Sequence, residues 1–117
     1  PRNRIPSARR GQTQEAPMIV VLAKLTAQPG KEAEMQAALE AMVAEVDAKE
    51  PGVLAYTLHA TEGEPGTFWM YEEYADEDTF KAHGTTDHMK AFAMSMRDIA
   101  ASRPEVIRVS PVVGVTR

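Results

Sequence analysis

Between Tyr71 and Met89 the chain reads YEEYADEDTFKAHGTTDHM, and three side chains in this stretch are suited to moving a proton: Glu72, His83 and His88. Histidine titrates close to neutrality, which matches it to general acid and base work. A carboxyl group joins it in that role when burial raises its pKa. Strand parity supplies the burial argument. In TFWMYEEY, residues 67–74, Phe68, Met70, Glu72 and Tyr74 fall on one face, and Trp69, Tyr71 and Glu73 on the other. A carboxylate flanked by apolar residues and a tyrosine is an expected proton acceptor. The competing structural reading pairs Glu72 with Lys24, which the first strand places with Val20 and Leu22. Both readings can hold, because a paired carboxylate can still line a pocket.

His83 closes a short helix and His88 opens the next, so the two are expected to converge over the end of the strand. Their H-x4-H spacing has Gly84 inside it. It is therefore not the i, i+4 pair of a helical metal site, and no metal is expected. The structural alternative is an end effect, since a histidine near a helix C-terminus suits the dipole there. Trp69 and the three tyrosines read as core or interface anchors. Met89, Met94 and Met96 read as adaptable packing that could also line an apolar pocket. With no cysteine, disulfides, thiol nucleophiles and zinc–thiolate sites are excluded. No phosphate-cradling glycine loop and no G-x-S-x-G elbow is present. Chemistry in this chain rests on acids, bases and a cavity.

The elements that must position these groups are legible. MIVVLAKLT, residues 18–26, is a β-branched apolar strand, and a helix from about Lys31 to Lys49 places Met35, Leu39, Met42, Val43 and Val46 on one side. EPG, residues 50–52, stops it. VLAYTLHAT, residues 53–61, and TFWMYEEY form a hairpin around EGEPG. Asp76 caps the short helix to His83, and Thr86 or Asp87 caps a helix with the stripe Met89, Phe92, Ala93, Met96, Ile99 and Ala100. Val106, Ile107, Val109, Val112, Val113 and Val115 mark a last strand, demoted to an edge or a bulge by Pro111. The order is β-α-β-β-α-β with an additional short helix, an α+β, ferredoxin-like protomer with an antiparallel sheet. Val20, Leu22, Phe68 and Met70 suggest that the face away from the helices is not wholly polar. Two such sheets packed face to face would bury it, giving a homodimer that encloses a cavity.

At 117 residues, 44% hydrophobic and 26% charged, the chain suits one soluble domain. Residues 1–17 carry four Arg and one Glu, and read as a disordered basic leader ahead of a domain over 18–117 that Met18 opens. The domain carries nine basic and sixteen acidic residues, which argues against nucleic-acid binding. No apolar run approaches a membrane span, and no apolar segment follows the N-terminal arginines as a secretory signal would require. A cytoplasmic setting is expected.

Three segments together resemble the antibiotic biosynthesis monooxygenase family over roughly residues 18–112: MIVVLAKLTAQPGKEAEM, EPGVLAYTLHAT and FWMYEEYADEDTFKAHGTTDHMKAF. The last is the most specific, with a strand ending in Tyr-Glu-x-aromatic, an acidic turn and A-H-x-x-x-x-H. The resemblance implies a dimeric α+β barrel with a pocket between sheet and helices. It also implies cofactor-free oxygenation of a quinol or polyketide-like phenol. In that chemistry the protein deprotonates an electron-rich substrate, which itself reduces dioxygen, and neither metal nor cofactor is required. On this reading Glu72, His83 and His88 are catalytic, and Lys24, Phe68, Met70, Tyr74 and Phe92 bind a small-molecule substrate. Many relatives have Trp where this chain has Tyr74. YEEYADED and HGTTDHMK look like the branch that processes autoinducer-2 phosphate, whose members are isomerases, with Lys24 and Arg97 as the cationic anchors such a substrate would need. A non-enzymatic small-molecule-binding module is the third alternative.

Overall fold

The computed structural model describes residues 18–117; the expected leader, 1–17, lies outside the described residues. Strand β1, Ile19–Thr26, is central, pairing antiparallel with β3, Thr67–Tyr74, on one side and with the edge strand β4, Glu105–Val109, on the other. Strand β2, Val53–Ala60, closes the far edge, so the sheet order is β2-β3-β1-β4. This is the expected ferredoxin-like arrangement.

Helix α1, Glu32–Lys49, buries Met35, Leu39, Met42 and Val46 at spacings of three and four, while Glu32 and Glu34 sit in its first turn, where the dipole favours acids. Fully burying one such side chain contributes about 1.5–3 kcal/mol. Gly30, at φ 88°, turns the chain into this helix. Pro51 cannot continue it. Helix α2, Glu77–His83, starts at Asp76, whose carboxylate accepts from the Thr79 N–H at 2.8 Å. Helix α3, Asp87–Ile99, starts at Thr86, whose hydroxyl accepts from the Met89 N–H at 3.1 Å. Of the two expected caps, Thr86 is the one used.

The helices cover one face of the sheet. Met35 and Leu39 of α1 and Met96 of α3 meet Leu25, Phe68 and Met70 in the main core. Ile19, Val21 and Tyr74 form a second cluster under Phe80 of α2. The register corrects two expectations. Ala23 pairs with Met70 and Leu25 with Phe68, so Phe68 and Met70 face the helices together with the odd-numbered residues of β1. The open face carries Leu22 and Lys24, as expected, together with Trp69 and Tyr71 in place of Phe68 and Met70. Strand β4 also ends at Val109, and Val112, Val113 and Val115 are exposed beyond it. Pro111 has no N–H to give a ladder, and the valine pattern alone does not extend the strand.

Candidate functional site

β3 runs its helix-facing residues, Phe68, Met70, Glu72 and Tyr74, toward α2. Glu72 is 7% exposed and accepts a 2.5 Å hydrogen bond from the Tyr74 hydroxyl. Burial holds its carboxyl above the ordinary carboxylate range, against the opposing pull of the Tyr74 hydrogen bond and of nearby His83. Burial and the Glu72 carboxylate push the Tyr74 phenol up in turn. The Tyr74 ring is held edge-on by Phe80, at 5.1 Å between centroids.

The two histidines converge as expected, and what joins them is a residue read from sequence only as part of a helix stop. Glu50 follows the last turn of α1, and its side chain is almost fully buried. His83 Nδ1 lies 2.9 and 3.2 Å from the two Glu50 oxygens, and His88 Nε2 lies 2.5 Å from Oε2. One carboxylate therefore accepts from both imidazoles. A carboxylate at a helix C-terminus faces the unfavourable end of the dipole, and two charge-assisted hydrogen bonds offset that. Glu45, paired with Lys49 at 2.7 Å, lies 3.9 Å from His88 Nδ1.

This arrangement sets a tautomer. When His83 donates Nδ1–H to Glu50, a neutral ring keeps its lone pair on Nε2. The ring is 6% exposed as a residue and packs against Tyr56 at 5.2 Å and Tyr74 at 5.4 Å. Tyr56 in β2 is the register partner of Glu72 and shares its face. Two buried carboxyl groups, two histidines and two tyrosines thus share one end of the space between sheet and helices. This set can accept a proton, store one and return it.

Lys24 does not belong to this set. Its register partner is Trp69, and its ammonium sits 5.8 Å from the centre of the Trp69 ring on the opposite face of the sheet. The expected Lys24–Glu72 pairing is thereby overturned: Glu72 pairs in register with Val21, and residues 21 and 24 point to opposite faces. Phe68 and Met70 are buried among core residues beside the cluster, and Phe92 is half-buried against the same core. Sequence reading missed Glu50 and Tyr56. For Glu50 the available signal was a carboxylate at the wrong end of a helix.

The family model described as "Antibiotic biosynthesis monooxygenase" matches residues 18–94. The protein named "Putative monooxygenase YcnE" of Bacillus subtilis (strain 168) is 31% identical over 91 residues, 78% of this chain and 95% of its own length. The crystal structure of a "putative antibiotic biosynthesis monooxygenase" from Caulobacter crescentus CB15 superposes with a TM-score of 0.77 at 37% identity, covering 83% of this chain and 92% of that one. PA3566 from Pseudomonas aeruginosa, at 23% identity, shares the fold with a TM-score of 0.78 over 86% of this chain and 100% of its own.

Proposed function

The chain belongs to the antibiotic biosynthesis monooxygenase family, and from that premise we propose that it is a cofactor-independent monooxygenase of a small aromatic quinol or polyketide-like phenol. The observation that supports this most directly is His83, held by Glu50 at 2.9 Å, beside a second buried carboxyl group, Glu72. His83 Nε2 takes the phenolic proton, while Glu50 holds the ring and His88 shares the carboxylate. The phenolate, richer in electrons than the phenol, reduces dioxygen and forms a carbon–oxygen bond. One oxygen atom stays on the ring and the other leaves as water, so a dihydroxynaphthalene and O2 become a hydroxynaphthoquinone and H2O. Glu72, held protonated to higher pH than an exposed carboxyl group, is suited to return a proton to the peroxide oxygen that leaves.

An oxygen electrode tests this with 1,4-dihydroxynaphthalene and neither metal nor flavin added. Uptake is expected well above the enzyme-free rate, and His83→Ala should lower the excess about 100-fold. Uptake equal to the enzyme-free rate would sink the reading, and uptake unchanged by Glu72→Gln, His83→Ala and His88→Ala together would remove these residues from it. The isomerase alternative has less support, because Lys24 lies on the other face of the sheet and Arg97 is exposed on α3.

The active species in this reading is a homodimer. The open face of the sheet presents Trp69, 36% exposed, and Ile107, 53% exposed, around a shallow depression lined by Leu22 and Tyr71. A second copy laid sheet to sheet removes this surface from water. Sedimentation equilibrium is expected to give twice the chain mass, and Trp69→Glu the single mass; a single mass for the unaltered protein at every concentration rules the dimer out.

A further inference from the structure

Next to the Glu72–His83 cluster an open cleft of about 320 Å³ lies between α1 and β2, lined by Glu40, Val43, Tyr56, Thr57 and Leu58. Tyr56 belongs to both. Its side chain is one of those lining the cleft, and its ring packs edge-on against His83, at 5.2 Å and an interplanar angle of 65°. Its register partner across the strand pair is Glu72. The other two tyrosines have committed their hydroxyls, Tyr71 to Glu73 and Tyr74 to Glu72, each at 2.5 Å. Among the described residues no such bond engages the Tyr56 hydroxyl.

We propose that Tyr56 is the substrate-facing hydrogen-bond donor of this site, and that the cleft it lines selects a neutral aromatic alcohol over an anionic one. This deepens the reading above, taking from it only that the ligand is a small aromatic alcohol. The volume suits one or two rings, with Val43 and Leu58 as apolar walls. The charged side chains about it are acidic: Glu40 lines the cleft, and Glu50 and Glu72 stand behind Tyr56. Lys49, at the end of α1, is engaged by Glu45. Among the described residues no cation lines the cleft, so an anion entering here meets carboxylates, whereas a neutral hydroxyl meets a donor. Burial foremost, and then Glu72 and Glu50, keep the Tyr56 phenol protonated well above neutrality, so it stays a donor.

Equilibrium dialysis with 1-naphthol and with 1-naphthyl phosphate tests this without turnover. The unaltered protein is expected to bind 1-naphthol at least about 10-fold more tightly than the phosphate ester, since an unpaired charge is costly to bring beside carboxylates. Tyr56→Phe should weaken 1-naphthol about 5- to 10-fold, the scale of one buried hydrogen bond, and leave the ester unchanged. Val43→Trp should weaken binding strongly by narrowing the cleft, while Arg103→Ala, exposed beyond α3 and outside the cleft, should not affect it. Equal or tighter binding of the ester, full 1-naphthol affinity in Tyr56→Phe, or loss of binding in Arg103→Ala would each overturn the assignment. Because Tyr56→Phe deletes one hydroxyl, a folding failure of Val43→Trp leaves the test intact. Intact 1-naphthol binding without oxygen uptake counts against the oxygenase reading alone; uptake indifferent to Tyr56→Phe and Val43→Trp counts against this inference alone.

Discussion

Glu50→Gln is expected to lower turnover about 100-fold or more while KM changes less than about threefold. The carboxylate accepts from His83 Nδ1 at 2.9 Å and from His88 Nε2 at 2.5 Å. An amide offers one acceptor oxygen, and its NH2 group, a donor, must face one of the two imidazole N–H groups. The amide can satisfy that ring only if its tautomer reverses, which moves the free lone pair away from the side where the substrate waits. Glu50 does not itself reach the cleft, so substrate affinity should hardly move. Glu50→Asp keeps the charge on a shorter arm that can hold one imidazole but not both, and an intermediate rate is expected. This rescue separates positioning from simple destabilisation, which would lower the fraction of active protein and leave kcat per active site alone. Steady-state kinetics on the three proteins, with thermal melts alongside, decides it. Full activity in Glu50→Gln would show that neither histidine needs its anchor.

That anchor was the part of the site hardest to read from sequence. Local patterns carried the elements: Asp76 and Thr86 cap because their side chains reach N–H groups three residues on, and α1 buries every third or fourth residue. Parity within β3 likewise put Glu72 and Tyr74 on one face. Parity cannot say which residues of a neighbouring strand share that face, because this depends on register, and a slip of one residue exchanges the faces. Lys24 was misplaced for that reason: β1 alternates, but its odd members are the ones that meet Met70 and Glu72. Glu50 stands 33 residues before His83 and 38 before His88. No local period spans such distances, and EPG reads as punctuation until the helix ends are packed. The convergence of the histidines was nevertheless foreseeable, since a helix–Gly–helix joint returns the chain on itself within a few residues.

The second large effect has opposite signs in two measurements. Glu72→Gln is expected to lower turnover about 10- to 100-fold and to raise stability at neutral pH by about 1 kcal/mol, or a Tm gain of about 4–8 °C. The activity loss follows from removing a group that can hold and release a proton. The stability gain follows from linkage. The Glu72 carboxyl titrates above its unfolded value, chiefly because it is buried, so over that window the folded chain binds more protons than the unfolded one. Stability from the neutral carboxyl is fully present below the unfolded pKa, falls as pH rises through the folded pKa, and stays lost above it. Glutamine is neutral throughout and its carbonyl can still accept from the Tyr74 hydroxyl, which now stands 2.5 Å from a Glu72 oxygen. The gain should therefore grow from near zero in acid to a plateau on the alkaline side of the window, and melts across pH would trace it. A variant less stable than the parent at neutral pH would mean that the ionised carboxylate is held favourably, and Glu72 would lose its standing as a proton store. A gain in stability with turnover intact would leave the burial argument standing but move the proton return to another group. Only the paired outcome, more stable and slower, is what a buried acid kept for chemistry at the expense of the fold should give.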